Sequence, residues 1–164
     1  MDEPTRCLSP VDLPHPVEDR WYDDYVPGST YEFGHTSLTA DEIVAFGREY
    51  DAQPIHVDAE FAATGPFGGL IASGLQTMAV VMRMYVAHYI SQVASLASPG
   101  LDEVRWPRPV RPGDELRLRV TVEQARLSRS KPDRGLVHTK VEGLNQDDDV
   151  VVSFTAMNFF AVRP

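Results

Sequence analysis

Residues 70–90 read Leu-Ile-Ala-Ser-Gly-Leu-Gln-Thr-Met-Ala-Val-Val-Met-Arg-Met-Tyr-Val-Ala-His-Tyr-Ile. The run is long enough to cross a bilayer, yet Gln76, Arg83 and His88 interrupt it. As a helix it would carry apolar side chains on nearly every side, with Leu75, Met78, Ala79, Val81, Met82, Tyr85, Val86 and Ile90. Such a helix is wrapped by other structure. The pattern predicts a buried core helix over roughly 73–96 and no membrane span.

The chain beyond this helix reads as sheet. Leu101–Pro107 is a candidate strand, and residues 110–114, Val-Arg-Pro-Gly-Asp, form a turn. Residues 115–123 alternate, with Leu116, Leu118, Val120 and Val122 on one face and Glu115, Arg117, Arg119 and Thr121 on the other. That is the period of a half-buried antiparallel strand. Leu136–Gly143 and Val150–Val162 are further strands around a polar turn at 145–149.

Upstream, residues 31–37 make a first strand. Thr39-Ala-Asp-Glu42 has the capping-box pattern, and the helix behind it carries Ile43, Val44, Phe46 and Gly47 to about Tyr50. Pro54 cannot continue it. A loop over 51–58, a short helix over 59–63 and a glycine-rich break at 65–69 lead into the long helix. Segregated helices and strands indicate the α+β class: an antiparallel sheet around one apolar helix. Residues 1–20, with Pro4, Pro10, Pro14 and Pro16, read as an extended or disordered leader, and residues 21–164 as a single domain.

The formal net charge is -9, which argues against nonspecific nucleic-acid binding, where a basic surface supplies most of the affinity. Cys7 is the one cysteine, so no internal disulfide is available. No basic segment followed by an apolar run opens the chain. These features predict an intracellular, cytoplasmic protein. The five histidines show no metal-ligand spacing, and no phosphate-binding glycine loop of Walker or Rossmann type is present.

Two stretches could carry chemistry. Asp51-Ala-Gln-Pro-Ile-His-Val-Asp58 puts a carboxylate and an imidazole on either side of Pro54, and such a pair can move protons, one accepting and one donating. The spacing fits equally a helix-terminating Asp51, a satisfied loop His56, and Asp58 capping the next helix. Phe67-Gly-Gly-Leu-Ile-Ala-Ser-Gly-Leu75 puts Ser73 and Gly74 at the start of the long helix. Free N–H groups there can bind a developing oxyanion, and the same residues fit a plain Ser N-cap with a glycine kept for packing.

Together the residues resemble the MaoC-like dehydratase family, the R-specific enoyl-CoA hydratases. The family pattern Asp-x-Asn-Pro-x-His-x-Asp reads here Asp51 to Asp58. Phe-Gly-Gly-x-Ile-Ala-Ser/His-Gly reads Phe67 to Gly74, and Trp-x-x-Pro-Val-x-Pro-Gly-Asp reads Trp106 to Asp114. The resemblance covers roughly residues 20–164. It implies a hot-dog fold with an additional helical overhang carrying the Asp/His motif. It implies Asp51 and His56 as the catalytic pair, with the Gly74 N–H polarising a thioester carbonyl and Gln53, Pro54, Gly69 and Ser73 against the substrate. The reaction implied is reversible addition of water to a 2-enoyl thioester, with coenzyme A or acyl carrier protein as part of the substrate and no other cofactor, and the pairing usual for hot-dog domains predicts a homodimer or a higher homo-oligomer.

Gln53 departs from the commoner Asn, and Ser73 stands where His is frequent. A hot-dog thioesterase would place a carboxylate on or near the central helix, and none stands in its first turns. A non-catalytic binding module has no need of both Asp51 and His56. The arginines at 105, 108 and 111, and the basic group Arg126, Arg129, Lys131 and Arg134, read as solvated loop charges or as contacts for carrier phosphates or an acidic carrier protein. Trp106 and Tyr85 read as packing residues.

Overall fold

The computed structural model describes residues 13–164 and the backbone of residues 6–7. Among the described residues six strands form one antiparallel sheet: β1 (Arg6–Cys7), β2 (Thr30–Ser37), β3 (Ser95–Arg105), β4 (Glu115–Leu127), β5 (Arg134–Leu144) and β6 (Val150–Ala161), in the order β1-β2-β4-β5-β6-β3. The alternation in β4 sets its faces. Leu116, Leu118, Val120 and Val122 are fully buried, and Arg117, Arg119 and Thr121 turn outward. Val137, Val141, Phe154, Ala156 and Phe160 continue the buried face across β5 and β6.

That face wraps α4 (Gly74–His88), whose Val81, Met84 and Tyr85 are buried in the sheet's concavity. Each large apolar side chain so buried contributes about 1.5–3 kcal/mol. Among the described residues no helix is long and apolar enough to cross a membrane.

The helix predicted over 73–96 ends instead at His88, and the strand expected from Leu101 begins at Ser95. The cause is tertiary. The Arg20 guanidinium donates to the carbonyls of His88 and Tyr89 at 2.9 and 2.8 Å, and Ser91 Oγ accepts from the N–H groups of Val93 and Ala94. These bonds satisfy the helix end and turn the chain into β3. Pro99 is tolerated in β3 because this strand closes the sheet, where one row of N–H groups needs no partner.

Residues 1–5 and 8–12 of the expected leader, and the side chain of Cys7, lie outside the described residues. From residue 13 the chain packs on the domain: Val17 and Arg20 are buried, so the packed body begins upstream of the expected boundary at 21.

Between β2 and α4 lie three short helices, α1 (Ala40–Tyr50), α2 (Pro54–Val57) and α3 (Ala59–Thr64). The capping box is made: Thr39 Oγ1 accepts from Glu42 N–H at 3.2 Å, and Glu42 Oε2 accepts from Thr39 N–H at 2.7 Å. Where a loop was expected over 51–58, Pro54 opens a helical turn at its first position, which suits its fixed φ and missing N–H. Asp58 caps α3 through Glu60 and Phe61 N–H.

Candidate active site

α1 delivers Asp51. Its backbone N–H closes the helix on Gly47 O at 2.8 Å, and its side chain turns toward the start of α4. Oδ1 accepts from Gln53 Nε2 at 2.8 Å, and Oδ2 accepts from the Ser73 hydroxyl at 2.6 Å. The Ser73 hydroxyl, followed by the Gln53 amide, holds the Asp51 carboxyl below its ordinary range. Partial burial opposes this and His56 adds a smaller effect.

α2 delivers His56, which is buried. Its Nδ1 lies 2.8 Å from Ile71 O. A carbonyl only accepts, so Nδ1 carries the proton of that bond. Nε2 is left facing Asp51 Oδ2 at 3.5 Å. The α2 turn lies against α1 at Gly47, where a Cβ would come within 2.8 Å of Val57 Cγ1 and 3.2 Å of His56 Cβ. Glycine at 47 therefore lets the turn carrying His56 approach.

The segment before α4 binds the two halves together. Ile71 N–H donates to Ile55 O at 3.3 Å, and Ala72 N–H donates to Val110 O at 2.8 Å. Ser73, fully buried, caps α4 by accepting from Leu75 N–H at 3.2 Å. Gly74 is the first residue of the helix, where N–H groups have no acceptor inside the helix.

These residues line a cavity of about 420 Å³, walled by Asp51, His56, Ser73, Gly74, Trp106 and Val110 among others. Gln53 also lines it. Pro54 and Gly69, expected against the substrate, do not. Pro54 opens the α2 turn, and Gly69 lies beside Arg111, whose Nη2 donates to Phe67 O at 2.5 Å.

Trp106, read from sequence as a packing residue, is half exposed and lines the cavity, with Nε1 donating to Gly74 O at 3.0 Å. Arg108 also lines it and pairs with Asp149 at 3.2 Å. Arg126 and Arg129 line a separate hollow at the β4–β5 turn. Tyr85 is a core residue, as expected. The arrangement offers a carboxylate and an imidazole converging beside a helix N-terminus, which suits proton transfer next to a polarised carbonyl.

The sequence matches the MaoC like domain over residues 24–143, and the chain belongs to that family. It is 41% identical over 83 residues to 3-hydroxyacyl-thioester dehydratase Z of Mycobacterium tuberculosis, a stretch covering 49% of this chain and 55% of that protein. The chain thus matches about half the length of that relative. The structure superposes on the MaoC-like dehydratase from Rhodospirillum rubrum with a TM-score of 0.82 at 37% identity, covering 88% of this chain and 99% of that one. For the R-hydratase PhaJ1 from Pseudomonas aeruginosa the TM-score is 0.69 at 26% identity, covering 92% and 90%. The fold is the hot-dog fold that the sequence motifs imply.

Proposed function

We propose that the protein is a hydro-lyase that adds water reversibly to a 2-enoyl thioester carried by coenzyme A or acyl carrier protein, giving a 3-hydroxyacyl thioester. The observation that carries this reading is the 3.5 Å approach of Asp51 Oδ2 and His56 Nε2 in a cavity that also exposes the first turn of α4. One water can touch both groups.

Asp51, held ionised by Ser73 and Gln53, accepts a proton from that water as its oxygen bonds to C3. His56 Nε2, in its protonated state, delivers a proton to C2. The proton on Asp51 then returns to His56, and the sum is addition of one water. Negative charge gathers on the thioester oxygen in between, where the Gly74 N–H stabilises it, an interaction of a kind that contributes about 10²–10³ in rate. The first turn of α4 holds no acidic residue, which disfavours the thioesterase arrangement.

A panel of 2-enoyl-CoAs, followed by loss of enoyl absorbance beside a free-thiol assay, tests the reading. Hydration without thiol release, lowered at least about a hundredfold in Asp51→Asn and His56→Ala, is expected. Thiol release would move the assignment to a thioesterase, and silence across CoA and carrier-protein substrates to a non-catalytic module.

We also infer a homodimer. Among the described residues β3 lies at one edge of the sheet, and Val86 on α4 is about half exposed beside a hollow lined by Met82, Ile90 and Leu101. A second copy would cover this apolar face, and sedimentation should give twice the chain mass.

A further inference from the structure

We propose that Trp106 is a positioning residue for this site, the outer end of a hydrogen-bond chain that runs through the first turn of α4 to the Asp51 carboxylate. The kinetic part of the proposal rests on the hydration reading. The structural part does not.

The chain is continuous. Trp106 Nε1–H donates to Gly74 O at 3.0 Å. That carbonyl belongs to the same peptide group as the Leu75 N–H, which donates to Ser73 Oγ at 3.2 Å. The Ser73 hydroxyl in turn donates to Asp51 Oδ2 at 2.6 Å. Every donor points toward the carboxylate, the arrangement in which each bond strengthens the next. The indole therefore acts on a carboxylate that it does not touch.

Trp106 also accounts for Gly74. A Cβ at that position would lie 2.8 Å from Trp106 Cε2, 3.0 Å from Nε1 and 3.2 Å from Cδ2. The backbone there is the first turn of a helix with no positive φ, so nothing in the backbone requires glycine. What excludes a side chain at residue 74 is the indole face, so the indole and the helix start are fitted to each other. The segment carrying Trp106 is held in place: Pro107 and Pro109 restrict it, and Val110 O accepts from Ala72 N–H just before α4. With about half its surface open and one face on the cavity, Trp106 has little of the burial that a core packing role would give it.

Trp106→Phe, which keeps an aromatic wall and removes the donor, tests the chain. It should lower kcat roughly two- to twelvefold, the rate equivalent of one hydrogen bond, with little change in KM. It should also move the acid limb of the pH–rate profile upward, a shift that loss of packing alone would not cause. Wild-type kcat, KM and acid limb in a folded Trp106→Phe would overturn the proposal. Gly74→Ala, alone and with Trp106→Ala, tests the fit by thermal unfolding. Alanine at 74 should be destabilising beside the indole and neutral or stabilising without it, while equal costs in both backgrounds would overturn the fit. If the wild type hydrates nothing, the hydration reading falls, and the unfolding series still decides whether Trp106 positions Gly74.

Discussion

Ser73 Oγ donates to Asp51 Oδ2 at 2.6 Å while accepting from the N–H of Leu75 at 3.2 Å. One buried hydroxyl thus caps the central helix and holds the carboxyl at its mouth below its ordinary range. Removing that hydroxyl should therefore alter both acidity and stability.

Ser73→Ala removes the largest cause of the depressed Asp51 pKa, so the pKa rises and the acid limb of kcat/KM moves to higher pH. The same change removes a cap and should cost about 1 kcal/mol. A carboxyl with a lowered folded pKa adds stability above its unfolded pKa, about 3.9, and loses it as pH falls through the folded value. The stability difference between wild type and Ser73→Ala should accordingly narrow below about pH 4. Urea unfolding at pH 7 and in that acid range, beside a pH–rate series, measures both.

Gly47→Ala should displace the turn bearing His56. The new methyl meets Val57 Cγ1 at 2.8 Å and His56 Cβ and O at 3.2 Å. Helix propensity gains about 1 kcal/mol, whereas overpacking costs typically about 1–3 kcal/mol, so the balance is unfavourable. Both Tm and kcat should fall. An unchanged kcat at lowered Tm would show that His56 keeps its place.

Arg20→Met should destabilise by about 3 kcal/mol, because it leaves the carbonyls of His15 and His88 without their Arg20 donor and leaves Tyr89 O with the Tyr25 hydroxyl alone. Arg20→Lys should recover little, since an ammonium cannot reproduce the planar fork. Chemical denaturation of the two variants compares them directly.

Much of this architecture is legible in local pattern. The alternation of 116–122 dictates a strand with one buried face, Thr39 and Glu42 specify a helix start, and the apolar run after Ser73 demands a wrapping sheet. Asp51, His56 and Gly74 stand out through the resemblance of three motifs to a family pattern, whereas their spacing alone fits a helix end, a loop histidine and a packing glycine as well. The features that escaped are long-range. The end of α4 at His88 depends on Arg20, which is remote in sequence. Residues 95–100, exposed and interrupted by Pro99, carry no strand period because an edge strand with little burial needs none. Trp106 looked like any packing aromatic, since nothing near it in sequence names Gly74 as its partner.

The sequence by itself determined most of the strands, the start of α1 and the apolar central helix, because periodicity, caps and breakers act within a few residues. Only the tertiary structure decided which groups meet. The hydroxyl of Ser73 reaches Asp51, the Ile71 carbonyl fixes the proton on His56 Nδ1, and the indole of Trp106 closes on Gly74. Those contacts join residues far apart along the chain, and packing the overhang and the 106–110 segment against one helix end brings them within bonding distance.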